Sequence, residues 1–126
     1  MSFEIQQLKD EPIVVITCHN PFDFTGDIAA ANRQVAALLE NGETITRIID
    51  FTEIEMTFAN LVESLATKTR EEPGSLRDPR VRTVLVGTHE LVVMKAQSLR
   101  QEQYGGLDVP LFESLDEAIA HCRQLA

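Results

Sequence analysis

The chain has 126 residues, 44% of them apolar and 25% charged, with a formal net charge of −9. That length holds a single domain with one contiguous core and needs neither disulfide nor metal to stay folded. The acidic balance argues against nucleic acid as a partner, because such binding takes a basic surface that displaces counterions from phosphates.

No apolar run approaches the roughly 18 residues that cross a bilayer; the longest is Ile13-Val14-Val15-Ile16. The opening Met1-Ser2-Phe3-Glu4-Ile5-Gln6-Gln7 is polar and mildly acidic, unlike a secretory signal, so a cytoplasmic location is expected. Lys68, Arg70, Arg77, Arg80 and Arg82 outnumber Glu71, Glu72 and Asp78, a local charge of +2 that reads first as a solvated loop. Cys18 and Cys122 sit far apart in apolar settings without CxxC spacing, which suits buried thiols rather than a disulfide or zinc site.

In chain order, Phe3 to Leu8 alternates as an edge strand does, and Lys9-Asp10-Glu11-Pro12 turns into Ile13 to Cys18, apolar on both faces like an interior strand. The two strands can pair as an antiparallel hairpin. After a loop with Pro21 and Gly26, Ile28, Ala31, Val35, Leu38 and Leu39 recur at helical spacing up to Asn41-Gly42. Strand three is Ile45 to Phe51. A helix from Thr57 follows, with Phe58, Leu61, Val62 and Leu65 in one stripe, each contributing about 1.5 to 3 kcal/mol if buried.

Glu72-Pro73-Gly74 stops that helix, and Val81 to Gly87 is a fourth strand. The third helix starts at once, with Thr88 as cap and Leu91, Met94, Ser98, Leu99 and Glu102 on one side, and ends at Tyr104-Gly105-Gly106. Val109-Pro110-Leu111-Phe112 is a short edge strand, and Ser114-Leu115-Asp116-Glu117 a capping box that opens a fourth helix with Leu115, Ala118, Ile119 and Cys122 inward. The expected fold class is α/β: a mixed, mostly parallel sheet of about five strands with about four helices, ordered β-β-α-β-α-β-α-β-α, as one domain over residues 1–126.

Chemistry is scarce. No glycine-rich turn joins a strand to a helix, so no phosphate cradle and no cofactor is expected. His19, His89 and His121 are too scattered for a metal site. His19 and His89 do follow the C-terminal ends of central strands, where open α/β sheets bind ligands, and with Asp23 or Glu90 they form the one polar cluster worth weighing against ordinary loop histidines. A small hydrolase or transferase on Cys18, His19 and His89 is the enzymatic alternative, although neighbouring residues on a strand point to opposite faces and keep Cys18 from its adjacent histidine. Phe22 and Phe24 either fold over the core or rim a pocket or dimer contact, and Met56, Met94, Phe58 and Phe112 read first as core.

The joint Ile48-Ile49-Asp50-Phe51-Thr52-Glu53-Ile54 and the run from Val86-Gly87-Thr88 through Gly105-Gly106-Leu107-Asp108-Val109-Pro110-Leu111-Phe112 to Ala118-Ile119 resemble the STAS superfamily, within it the SpoIIAA-like group of small stand-alone domains. The resemblance implies a mixed sheet covered by helices. It also implies a regulatory binding protein, since the best-known members are phosphorylation-switched antagonists of anti-sigma factors. Their Asp-Ser pair would fall at Phe58-Ala59, where neither residue can take phosphate. Thr57 is the nearest hydroxyl, so a Thr57 phospho-switch is a further alternative.

The expectation is therefore a non-enzymatic domain without catalytic residues, cofactor or metal, which binds a protein partner or a small apolar ligand. Its surface would use Phe22, Phe24, Thr57, Phe58, His89 and Met94, with a homodimer as one form of partnership and neither nucleic acid nor a membrane span involved.

Overall fold

A computed structural model describes residues 2–39, 44–67, 78–101 and 106–125. The elements run β1 (Phe3–Gln7), β2 (Ile13–Cys18), α1 (Gly26–Leu38), β3 (Ile45–Asp50), α2 (Phe58–Thr67), β4 (Val81–Val86), α3 (Glu90–Leu99), β5 (Leu111–Phe112) and α4 (Leu115–Leu125). The helix stops expected at Asn41-Gly42, Glu72-Pro73-Gly74 and Tyr104-Gly105 lie outside the described residues, as do Lys68, Arg70, Arg77, Glu102 and the side chain of Leu65.

The chain is α/β, with a five-stranded mixed sheet and four helices among the described residues. The strands lie in sequence order, β1-β2-β3-β4-β5. β1 and β2 form the antiparallel hairpin, Phe3 opposite Cys18 and Gln7 opposite Val14. Asp10 takes φ 59° in their turn, a left-handed conformation that aspartate tolerates better than most residues. β2 with β3, β3 with β4 and β4 with β5 are parallel. The expectation of a mostly parallel sheet is corrected to a mixed one, because the β1–β2 hairpin is antiparallel and β5 adds only Leu111 and Phe112, opposite Leu85 and Val86. Pro110 precedes that strand and lends it only a carbonyl, which accepts the Leu85 N–H at 2.9 Å.

Sequential parallel strands explain the layering. Crossovers of one hand that always step the same way across a sheet return over the same face each time. α1, α2 and α3 accordingly share one face, where Ile28, Val35, Leu61, Val92, Ala96 and Leu99 pack on alternate strand residues such as Val14, Ile16, Ile49 and Leu85. Among the described residues α4 alone covers the other face, setting Ala118 and Cys122 against Ile13, Val15, Ile48, Val84 and Val86. An ion pair pins its far end, with both oxygens of Glu11 accepting from Arg123 at 2.8 and 3.1 Å.

Two helices sit in a different phase from the one their sequences suggest. In α2 only Leu61 of the expected stripe is buried among the described side chains, while Phe58 and Val62 face outward. The β3–α2 connection itself buries Ile54 and Met56, so this end of the core is filled before the helix begins. In α3 the inward stripe is Val92, Lys95, Ala96 and Leu99, rather than Leu91, Met94 and Ser98. Gly87 sets that rotation, because a Cβ there would come within 2.9 Å of Val92 Cγ1, and its absence lets the first turn of α3 seat Val92 directly on the sheet.

Candidate functional site

α2 and α3 each begin where a central strand ends, and they pack side by side. Thr57 caps α2 in a reciprocal pair: its Oγ1 accepts the Asn60 N–H at 3.1 Å, and Asn60 Oδ1 accepts the Thr57 N–H at 3.0 Å. The cap of α3 is His89 rather than Thr88, its Nδ1 accepting the Leu91 N–H at 3.1 Å. Two helices anchored in this way present Phe58 at 65% exposure, Val62 at 52% and Met94 at 42%. Phe58 and Val62 are four residues apart and so share one side of α2. Reading Phe58 and Met94 as core residues is corrected here: both stand in solvent, with Thr57 and His89 exposed at the starts of the same two helices.

Phe22 and Phe24 are placed elsewhere. Phe24 is buried, its ring stacked at 6.3 Å on Phe51 and edge-on at 5.0 Å to Phe22, which is half-buried against the same core. They close the core beside the C-terminal end of the sheet. His19 is held at 3.0 Å by Glu53, with Glu4 at 3.8 Å on its other nitrogen. Asn20 bridges the same two loops, donating to the Glu53 carbonyl and accepting the Glu55 N–H, each at 3.4 Å. Cys18 is wholly buried. The trio Cys18, His19 and His89 therefore supplies no solvent-reachable thiol, and one nitrogen of His89 is taken up by the cap.

The apolar layer under α1–α3 contains two cations that the periodicity did not disclose. Arg47 is fully buried, donating to Asn32 Oδ1 at 3.1 Å and to Thr83 Oγ1 at 2.9 Å. Burial pulls its pKa down to about 10, against the field of Asp78, which works to raise it. Lys95 is fully buried as well, and its Nζ lies 4.9 Å from the centre of the Phe51 ring without a hydrogen-bond partner among the described residues. Burial brings its pKa down to about 8, with Cys18 raising it and Arg47 lowering it further. The signal for Arg47 was its alternation with Ile45, Ile49 and Phe51 on a central strand, which commits it to a covered face. For Lys95 it was the spacing of Val92, Ala96 and Leu99, a stripe one residue out of step with the one first read.

A cavity of about 780 Å³ opens beside β4, lined by Val81, Thr83, Val84, Leu107, Val109 and His121 among others. Among the described residues no group of three or more His, Cys, Asp or Glu side chains converges as metal ligands, and no helix is long and apolar enough to cross a membrane. Neither a protein-family model nor a curated protein matches the chain.

Proposed function

We propose that the chain is a SpoIIAA-like, STAS-type domain that acts by binding, with the outer face of α2 and α3 as its docking surface for a protein partner. The observation that carries the reading is the exposure of Phe58, Val62 and Met94 on adjacent helices. Large apolar side chains left in water forgo about 1.5 to 3 kcal/mol each, and their grouping on a helix pair is the pattern of an unoccupied protein interface. A second copy of the chain is one occupant of that face. The substitution of Phe58-Ala59 for an Asp-Ser pair suits constitutive docking, since the helix opening carries an apolar anchor in place of a phosphate acceptor.

The test is site-specific photo-crosslinking in the cells of origin, with the photoreactive group at Phe58, at Met94 and, as control, at Glu117 on α4. The same adduct mass is expected from the first two positions and not from the third, and Val62→Asp should remove it. Adducts from all three positions alike, or from none, would refute the docking face.

A small apolar ligand is the second reading, favoured by the cavity beside β4, whose volume of about 780 Å³ falls within the ~300–1,000 Å³ of small-molecule sites. Native mass spectrometry of protein purified from its source separates the two, since a retained small molecule adds mass to the monomer whereas the docking reading leaves it bare.

A further inference from the structure

Lys95 stands apart because it charges the interior of a layer that otherwise holds apolar side chains and the hydrogen-bonded Arg47. Its Nζ is out of reach of water, has no hydrogen-bond partner among the described residues, and lies over the face of Phe51. The groups that act on it from the elements packed around it are Cys18 of β2 and Arg47 of β3. α1 contributes the neutral Asn32 through Arg47, β4 contributes Thr83 in the same way, and Asp78 acts on Arg47. A buried ammonium so placed is costly, and the smallest motion that returns it to water is movement of the helix that carries it. α3 can make that motion without breaking the sheet, because the pairing of β1 through β4 involves none of its residues.

We propose that α3 is a proton-gated element: it lifts from the sheet more readily while the buried Lys95 amine is protonated, and stays seated once that amine is neutral. The proposal rests on the docking reading for its consequence alone. α3 carries Met94, so a lifted helix dismantles half of the α2–α3 face, and proton concentration thereby regulates that face.

The sign follows from linkage. The open state binds the Lys95 proton with its ordinary affinity and the seated state binds it less tightly, so opening is favoured wherever the amine still holds its proton in the open state but has lost it, or holds it at a cost, in the seated one. A seated pKa of about 8 against 10.5 makes the opening constant fall roughly tenfold between pH 7 and pH 9.

Native-state amide exchange of the whole chain, divided by the intrinsic rates, reads this directly without any partner. The amides of Ala96 and Leu99 should show that fall of roughly tenfold, starting from an opening constant larger than that of Val15 and Ile48 in the central strands, which exchange through global unfolding. One opening constant shared by all four, or no pH dependence in α3, overturns the gate. In Lys95→Met the pH dependence of α3 should vanish, and its persistence would contradict the assignment to Lys95. The Cε carbon resonance of Lys95 in the unaltered protein decides the matter if that variant does not fold: its midpoint should fall well below the ordinary lysine value of 10.5, and a midpoint at that value refutes the proposal. Failure of these measurements leaves the crosslinking test of the docking face standing on its own.

Discussion

Truncating Arg47 to alanine would strand Asn32 Oδ1 and Thr83 Oγ1 and open a cavity between α1 and the sheet. The expected loss is about 3 to 5 kcal/mol in urea denaturation, the range for removing one member of a buried polar set. Lys95 has no such partners among the described residues, so its replacement acts in the opposite direction. Lys95→Met keeps the apolar stem and removes the charge, and should stabilise the protein at pH 7 by about 1 to 3 kcal/mol. The depressed pKa, about 8 folded against 10.5 free, sets the window. Below pH 8 both states hold the proton and the cost is complete. Between pH 8 and 10.5 the unfolded chain keeps a proton the folded one has released, so the parent gains stability and its deficit against Lys95→Met closes. Denaturation curves at pH 7 and pH 10 check both statements, and a constant difference between the two proteins would refute the second. Neither residue was found by hydrophobic periodicity, because the method counts cations as surface and reads the helix or strand around them accordingly.

At the scale of elements, α2 separates packing from display. Leu61 is buried and Phe58 is not, so Leu61→Ala should cost about 2 to 5 kcal/mol and Phe58→Ser no more than about 0.5 kcal/mol, measured as denaturation midpoints at constant m-value. Comparable losses at both sites would mean that Phe58 belongs to the core. The junction of β4 and α3 carries its own prediction. Gly87→Ala places a Cβ within 2.9 Å of the buried Val92 Cγ1, forcing the helix outward at a cost of about 1 to 3 kcal/mol in the same assay. The central strands were readable in the sequence nearly to the residue, since Ile13–Cys18 and Val81–Val86 are rich in β-branched and apolar residues and bounded by turns. Helix phase was less so. α2 and α3 each offer two adjacent apolar stripes, and the choice between them depended on Ile54 and Met56 filling the core from a loop and on the close approach allowed by Gly87, both of which are tertiary facts.

For the molecule as a whole, the order of strands constrains where function can sit. An open α/β sheet usually binds ligands where the strand order reverses and leaves a crevice between helices on opposite faces. Here β2 through β5 advance in one direction, α1–α3 lie together on one face, and the C-terminal edge of the sheet is closed by Phe22, Phe24 and Phe51. With that edge filled by aromatic rings, the proposed docking face lies on the outer surface of the helix layer, where α2 and α3 carry exposed apolar side chains. The architecture followed from the alternation of strands and helices. Which of the candidate surface residues stand in solvent did not, because an amphipathic pattern states which residues are apolar and not which of them the fold leaves in water.

Hydroxyl-radical footprinting of the protein, purified and inside its own cells, tests that surface most directly. Phe58 and Met94 should oxidise readily in the purified protein and be protected in the cell, while Leu38, an exposed apolar residue on α1, reacts alike in both. Equal oxidation of Phe58 and Met94 in the two settings would contradict a docking face on α2 and α3.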